Sequence, residues 1–189
     1  MSGFVVAPSD PAWQVRGVEL AEEMRVALGP PARRIEHIGS TSIPGMAAKP
    51  VYDMQISVDD LAEAADAFDE PLRASFGLER RPWEHDHVPA GRADDPELWT
   101  KRLWGSPGTG GERINLHVRV VGSPNERLAL LFRDWFRAHP PAVPAYAAFK
   151  LALAGITDDL DVYTDVKDPV VDLVIVMAET WAAASAWTP

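Results

Sequence analysis

Two stretches of the chain alternate strictly between apolar and polar residues, a pattern typical of a strand with one buried face. The first covers residues 51–58: its apolar side chains are Tyr52, Met54, Ile56 and Val58, and those on its other face are Val51, Asp53, Gln55 and Ser57. The second covers residues 113–121, and its polar side chains are Arg113, Asn115, His117 and Arg119. Both stretches are predicted strands, and we expect their apolar faces to lie in the core.

Two helices are predicted in the N-terminal half from apolar residues at helical spacing. The first follows Ser9-Asp10-Pro11, where a capping side chain precedes a proline, and it ends at Gly29. The second is capped by Asp59 or Asp60 and ends at Gly77.

Three further helices are expected in the C-terminal third. The first begins at Ser123-Pro124-Asn125-Glu126, a sequence typical of a capping box. The second carries Tyr146 and Lys150, and the third begins at Val170 behind the cap Asp168-Pro169. We expect these helices, from about residue 124 onward, to pack on the sheet.

Three connecting segments complete the pattern. Arg34 to Ile38 is a short predicted strand that leads into a small-residue turn, and residues 98–104 and 113–121 are predicted to pair as a hairpin with a long turn. Residues 82–96 are polar and are expected to form a loop. The run His85-Asp86-His87 within it is compatible with metal binding or with a solvated loop, and the second is favoured because neighbouring side chains of an extended chain point apart.

The order of elements is a helix, strands with an inserted helix, a hairpin, and then helices. This order predicts an α/β (α+β) fold in which a mixed β-sheet is flanked by helices. The length of 189 residues suits a single domain covering residues 1–189.

Charge and cysteine content narrow the expected partners. The chain has 18 basic and 28 acidic residues and a net charge of −10, which disfavours nucleic acid and anionic membranes as partners. It has no cysteine, so disulfides and thiolate chemistry are excluded. Because no leader pattern or long apolar run is present, we expect a soluble cytoplasmic protein. The sequence leaves the oligomeric state open.

The turn after the first strand and the strand that follows it carry the strongest chemical signal. Gly39-Ser40 can offer backbone N–H groups and a hydroxyl to phosphate oxygens, and Asp53, thirteen residues after Ser40, is a carboxylate that suits Mg²⁺. A Gly-Ser pair is also common in ordinary loops, and a strand aspartate can simply be hydrogen-bonded. On spacing alone the ordinary loop is the favoured interpretation.

A much longer run resembles the GrpB family of nucleotidyltransferase-like proteins. It extends without gaps from His37 to Asp53, and the later similar segments are Arg113 to Val118, Phe132 to Asp134, Tyr146 with Lys150, and Tyr163 to Lys167. The resemblance implies a minimal nucleotidyltransferase-like fold in which a Gly-Ser turn binds triphosphate and strand carboxylates bind metal. In the wider superfamily two acidic residues, separated by one, bridge a pair of metal ions. This chain has Gln55 at the second position, and a neutral amide cannot offset the charge of a second ion.

The resemblance also implies a set of site residues. Asp53 is the candidate catalytic and metal-binding residue, and His117 is a candidate general base, because an imidazole titrates near neutrality. The implied nucleotide-binding residues are Gly39, Ser40, Thr41, Lys49 and Lys150, and the other implied pocket residues are His37, Gln55, Arg113, Asn115, Arg133 and Lys167. The alternatives are a strand histidine bonded to a neighbour and basic side chains in exposed salt bridges.

Two functions are consistent with this sequence. The first is a nucleotidyltransferase-like enzyme that binds ATP or another nucleoside triphosphate with Mg²⁺ and transfers a nucleotidyl group to a small-molecule acceptor, or activates or ligates that acceptor. The second is a non-catalytic module that binds a nucleotide or other small ligand and has lost the second metal carboxylate. Gln55 is the feature that favours the second.

Overall fold

A five-stranded mixed sheet forms the centre of the computed structural model, which describes residues 4–108 and 110–189. The strands are β1 (Arg34–Ile38), β2 (Tyr52–Val58), β3 (Glu79–Arg81), β4 (Arg102–Gly105) and β5 (Ile114–Val120), in the spatial order β1-β2-β5-β4-β3. The central strands β2 and β5 are parallel, and the other neighbours are antiparallel. The predicted hairpin is therefore confirmed as β4 and β5, while the edge strand β3 was not predicted.

Five α-helices of the described residues flank the sheet, as expected for the predicted fold class. They are α1 (Ala12–Leu28), α2 (Leu61–Phe76), α3 (Pro124–Ala138), α4 (Val143–Ala154) and α5 (Leu160–Ser185). Asp60 caps α2, because its carboxylate accepts hydrogen bonds from the backbone N–H groups of Ala62 and Glu63 at 2.7 and 2.9 Å. In the part of the chain that the structure describes, no helix is both long and apolar enough to cross a membrane.

The predicted start of the last helix at Val170 is wrong. Helix α5 begins at Leu160, ten residues earlier, with Asp159 as its cap and with Pro169 inside it. A proline inside a helix costs about 3 kcal/mol because it removes one backbone hydrogen bond. Here the turns before Pro169 bury Tyr163, which is only 2% exposed, and this packing offsets the cost.

One face of the sheet is apolar and packs against α1 and α2. Met54 and Ile56 of β2 lie fully buried against Leu20 of α1 and Phe68 of α2. The alternation in residues 51–58 thus predicted the buried face of β2 correctly. A second apolar cluster lies among α3, α4 and α5, and it includes Leu131 and Phe136.

The other face of the sheet is polar and packs against α3. Glu126 lies at its centre, 1% exposed, and accepts hydrogen bonds from Arg34 and Ser57 at 2.5 Å each. It also accepts the backbone N–H of Gly122 at 3.0 Å. The predicted capping box is therefore wrong: the Ser123 hydroxyl donates to the carbonyl of Val120 instead of capping the helix, and Glu126 accepts the N–H of Gly122 rather than that of Ser123.

The loop over residues 82–95 is also different from its prediction as a solvated segment. Asp86 is buried against the polar face, where its carboxylate accepts hydrogen bonds from Arg119 (2.8 and 3.0 Å), Lys101 (2.6 Å) and Asn125 (3.0 Å). We call these four residues the Asp86 cluster. His87 turns the other way and bonds Asp172 of α5 at 3.1 Å. Within residues 4–108 and 110–189, no three His, Asp or Glu side chains come together as a metal site.

Candidate functional site

The turn that follows β1 lies directly over the start of β2. Because the two strands are antiparallel, Ile38 is paired with Asp53, and Gly39 is the next residue along the chain. Gly39 has a φ of +68°, and a Cβ atom at this position would overlap the Asp53 carboxylate. Only glycine therefore allows the turn and the carboxylate to approach this closely.

Asp53 has two neighbours on the parallel strand β5. The register places Asn115 beside Asp53 and His117 beside Gln55. The Asn115 amide donates to Asp53 Oδ1 at 3.0 Å, and His117 Nε2 lies 4.0 Å from the same oxygen. The Asp53 side chain remains about one-third exposed, at 32%, so it can reach a ligand.

Lys150 reaches this turn from α4. Its Nζ donates to Ser40 Oγ at 2.7 Å, and the residue is only 2% exposed. Burial, together with the charges of Lys167 and Lys49, lowers the pKa of Lys150 to about 7, although Asp53 acts in the opposite direction. A buried ammonium with these neighbours is stabilised by any anion that enters the site.

Lys49 extends the same cluster of positive charge. Burial lowers its pKa to about 8, and Lys167 and Arg113 add to this effect. Its ammonium lies over the rings of Phe4 and Tyr163, at 5.4 and 5.0 Å from their centroids. In residues 4–108 and 110–189, no ion pair within 4.0 Å holds the lysines or Arg113 of this cluster.

We refer to the whole arrangement as the Asp53 site. Its residues are Gly39, Ser40, Lys49, Asp53, Arg113, Asn115, His117, Lys150 and Lys167. The chain has only four lysines, and three of them belong to this site. In a protein of net charge −10, this concentration of positive charge around one carboxylate suits an anionic ligand with several charges.

The side chains of His37 and Thr41 bond each other and the turn in the ligand-free protein. His37 lies on the opposite face of the sheet against Gly17 of α1, and its Nε2 pairs with Thr41 Oγ1 at 2.9 Å. The Thr41 hydroxyl is buried and donates to the carbonyl of Val51 at 3.0 Å. Burial, with Arg137 and Arg133, lowers the pKa of His37 to about 4, so it is neutral at physiological pH. Both side chains hold the turn in place, and a contact of either residue with a ligand stays a prediction.

The side chains of Gln55 and Arg133 likewise form hydrogen bonds with other residues of the protein. Gln55 is fully buried, donates to the carbonyl of Glu126 at 3.2 Å and accepts from Arg119 Nη1 at 2.5 Å. Arg133 bonds Glu36 at 2.6 Å and the carbonyl of His37 at 3.1 Å, so it braces β1 against α3. The assignment of these two residues to the ligand pocket is therefore corrected.

The environment of His117 argues against its assignment as a general base. Arg119 Nη2 lies 3.3 Å from His117 Nδ1, and since a guanidinium can only donate, Nδ1 must accept. Nε2 then carries the proton of the neutral ring and faces Asp53. Burial, Arg119 and Lys101 hold the pKa of His117 well below its ordinary value. His117 is thus a neutral hydrogen-bond donor at the Asp53 site.

The residues present do not fit a two-metal centre. Mg²⁺ requires oxygen ligands in near-octahedral geometry. Asp53 is the one carboxylate at the site, one of its oxygens accepts from Asn115, and the oxygen of Gln55 is occupied by Arg119. The sequence-based expectation of Mg²⁺ therefore depends on Asp53 alone.

Sequence reasoning missed the residues beneath the site, Asp86, Lys101 and Arg119. Arg119 was placed on the polar face of its strand, but nothing local indicated that the loop residue Asp86 would pair with it across 33 positions. One signal could have indicated such a partner. Arg119 is a basic residue in a strand whose other face is apolar, and a charged side chain that is buried beneath a helix needs a partner of opposite charge.

Comparison with known proteins identifies relatives over nearly the whole chain. The model of the family described as GrpB protein matches residues 4–176. A protein of Mycolicibacterium paratuberculosis named dephospho-CoA kinase is 37% identical over 97% of this chain, which spans only 48% of that protein. A UPF0157 protein of Pseudomonas aeruginosa is 36% identical over 88% of this chain and 64% of its own length.

Solved structures agree with this assignment. The crystal structure of GrpB from Enterococcus faecalis has a TM-score of 0.71 and 25% identity, and the match covers 94% of this chain and 99% of that one. A chain of the GLD-2/RNP-8 complex has a TM-score of 0.50 at 12% identity over 77% of this chain and 44% of its own, which is a likeness of fold alone. From the family match and the shared architecture, the chain belongs to the GrpB family.

Proposed function

We propose that the Asp53 site binds the phosphate groups of a nucleoside triphosphate and that the protein transfers a nucleotidyl group to a small-molecule acceptor, or activates or ligates that acceptor. The observation that carries the proposal is the buried Lys150 ammonium, which meets the Ser40 hydroxyl at 2.7 Å beside the glycine turn. A hydroxyl, a glycine turn and buried cations are the groups that bind phosphate oxygens.

The lowered pKa values of the lysines support a polyanionic ligand. Lys49 and Lys150 lose part of their charge in the free protein because they are buried close to Lys167. A bound polyphosphate would restore their full protonation, so part of the binding energy comes from the relief of their mutual repulsion. If a divalent ion accompanies the nucleotide, Asp53 is the residue that would hold it, and the ion would neutralise phosphate charge.

The names of the relatives are compatible with nucleotide-related chemistry. Several relatives are named dephospho-CoA kinase, but this chain spans about half of their length. The kinase activity in that name is therefore not transferred to this chain.

A non-catalytic ligand-binding module is the second candidate. The contact between Gln55 and Arg119 favours it, because this position supplies no second carboxylate for the reacting phosphates. The two candidates share nucleotide binding and differ in turnover.

Calorimetric titration with ATP, in separate runs with Mg²⁺ and with a chelator, tests binding. We expect Lys150→Met to weaken ATP binding at least about tenfold, which corresponds to 1.4 kcal/mol. Arg73→Met is the matched control, since it removes one positive charge from an exposed pair with Glu70. Absence of ATP binding to the wild type under both conditions would refute the proposal.

Turnover is tested with ATP labelled at the α-phosphate and an extract of small metabolites. Transfer of the label to a small molecule, lost in Lys150→Met, supports the enzyme. Tight ATP binding without any transfer supports the module.

A further inference from the structure

We propose that the Asp53 site binds the polyphosphate of a nucleotide without a divalent ion, and that Arg119, held by Asp86 beneath the site, supplies positive charge that a divalent ion would otherwise supply. This inference rests on the proposed function. It assigns Arg119 and Asp86 as positioning residues, which act on the ligand through His117 and through the charge beneath the site.

Arg119 is fixed on three sides. Two of its nitrogens bond the Asp86 carboxylate at 2.8 and 3.0 Å, a third contact reaches Gln55 Oε1 at 2.5 Å, and Nη2 faces His117 Nδ1 at 3.3 Å. The residue is only 5% exposed. Because a guanidinium does not lose its proton, this is a permanent charge at a fixed position.

The charge beneath the site is not balanced. Asp86 is shared between Arg119 and Lys101, whose Nζ lies 2.6 Å from Oδ1, so the two cations have one carboxylate between them. Burial lowers the pKa of Lys101, and Arg119 adds to the effect while Asp86 opposes it. Asp53 also acts on Lys101, which places the Asp86 cluster within electrostatic range of the site.

The same arrangement disfavours a metal ion beside Gln55. The amide oxygen of Gln55, which would be its ligand, already accepts from Arg119, and the guanidinium would repel a divalent ion at that position. Asp53 is the carboxylate that acts on both Lys49 and Lys150, and Lys167 adds a third positive charge near these two lysines. The unmatched charge in this region of the described chain is therefore positive, and it is complementary to phosphates rather than to cations.

His117 links Arg119 to the ligand. Because Arg119 donates to Nδ1, the proton of the neutral ring lies on Nε2, which is 4.0 Å from Asp53 Oδ1. This N–H is available to a phosphate oxygen. Without Arg119 the ring could adopt the other tautomer and lose this donor.

The experiment is calorimetric titration of the full chain with ATP and with inorganic tripolyphosphate, in chelator and in Mg²⁺. We expect the Kd for ATP in chelator to lie within about threefold of the Kd in Mg²⁺. Binding of ATP that is more than about threefold weaker in chelator overturns this inference and leaves the proposed function standing. Absence of binding under both conditions overturns both.

Two variants at Gln55 test whether the charge of Arg119 excludes a divalent ion from the position beside it. In Gln55→Asp the new carboxylate pairs with Arg119, so ATP binding stays independent of Mg²⁺. In the double variant Gln55→Asp, Arg119→Gln that carboxylate is free, and Mg²⁺ should then strengthen ATP binding by about tenfold. Strong Mg²⁺ dependence in the single variant would contradict the inference. If the double variant fails to fold by circular dichroism, the wild-type comparison and the single variant still decide the question.

Discussion

At the scale of single residues, Lys150 illustrates a conflict between stability and binding. Its pKa falls from 10.5 to about 7 in the folded chain because the ammonium is buried near other lysines. The unfolded chain therefore binds more protons between these two values, and this residue makes the free energy of unfolding rise with pH across that window. Near neutrality the protonated lysine opposes folding, and a bound anion would remove that penalty.

Lys150→Met is expected to stabilise the ligand-free protein at neutral pH and to weaken ATP binding at least about tenfold. One pKa unit corresponds to about 1.4 kcal/mol, so removal of a buried, depressed lysine can contribute several times that amount. Urea unfolding from neutral to alkaline pH should show a smaller rise in stability for the variant than for the wild type. The exposed substitution Arg73→Met should show neither effect. A less stable Lys150→Met variant would show that the lysine is well paired in the free protein.

Of the nine residues that the structure gathers at the Asp53 site, four come from the long motif. Gly39, Ser40, Lys49 and Asp53 lie within one run of the sequence, and strand register then adds Asn115. Gln55 and Thr41 lie in or next to the same run, yet their side chains are buried in the structure. Motif membership alone does not separate a residue that faces a ligand from one that supports the turn.

At the scale of elements, the turn between β1 and β2 determines how close Ser40 comes to Asp53. Gly39 combines a φ of +68° with a ψ of −168°, and the Asp53 carboxylate occupies the space where a side chain would be. Gly29, at the end of α1, has almost the same conformation, with φ 65° and ψ −154°, but nothing lies within 4 Å of its Cβ position. A substitution at either glycine strains the backbone, but only a substitution at Gly39 also overlaps Asp53.

Gly39→Ala is therefore expected to abolish ATP binding, whereas Gly29→Ala retains it. Both substitutions carry a cost in stability of about 1–3 kcal/mol for the unfavourable backbone conformation. Only the first also displaces Asp53. Urea unfolding and calorimetric titration with ATP measure the two effects separately. Equal ATP affinity in the two variants would show that the approach of the turn to Asp53 is not needed for binding.

Elements with a clear local signal were predicted best. Strand β2 alternates without interruption, and Asp60 caps α2 as its position suggested. The start of α5 was misplaced because Pro169 is a local signal for a helix start, whereas the structure continues the helix through it. Packing of the preceding turns through Tyr163 outweighed the local preference, and such packing depends on contacts that are distant in sequence.

At the scale of the whole molecule, a polar layer separates the sheet from α3. It contains the Asp86 cluster and the contacts of Glu126 with Arg34 and Ser57. Apolar residues lie on either side of it, between the sheet and α1 and α2, and among the C-terminal helices. Local patterns predicted the apolar regions, but the partners in the polar layer come from two loop segments, three strands and a helix. Their pairing depends on the complete fold.

A substitution of Asp86 tests how much the polar layer contributes to the stability of the fold. Although burial opposes its ionisation, Arg119 and Lys101 hold the pKa of the Asp86 carboxyl well below its ordinary value of 3.8. A lowered pKa of this kind contributes stability that is fully present above 3.8 and is lost as the pH falls below it. Asp86→Asn removes the charge and leaves two buried cations without compensation, so we expect a loss of about 3–5 kcal/mol at neutral pH.

The pH dependence of the free energy of unfolding distinguishes the contribution of the Asp86 charge from that of the packing around the side chain. Urea unfolding at neutral pH should show the full difference between the wild type and Asp86→Asn. As the pH falls below 3.8, the wild type should lose stability faster than the variant, because only the wild type has this carboxylate to protonate. Asp59→Asn is the control, since Asp59 pairs with Arg33 on the exposed surface, at 67% and 59% exposure of the two side chains. A constant difference between wild type and Asp86→Asn across this range would mean that packing around residue 86, rather than its charge, holds the polar layer together.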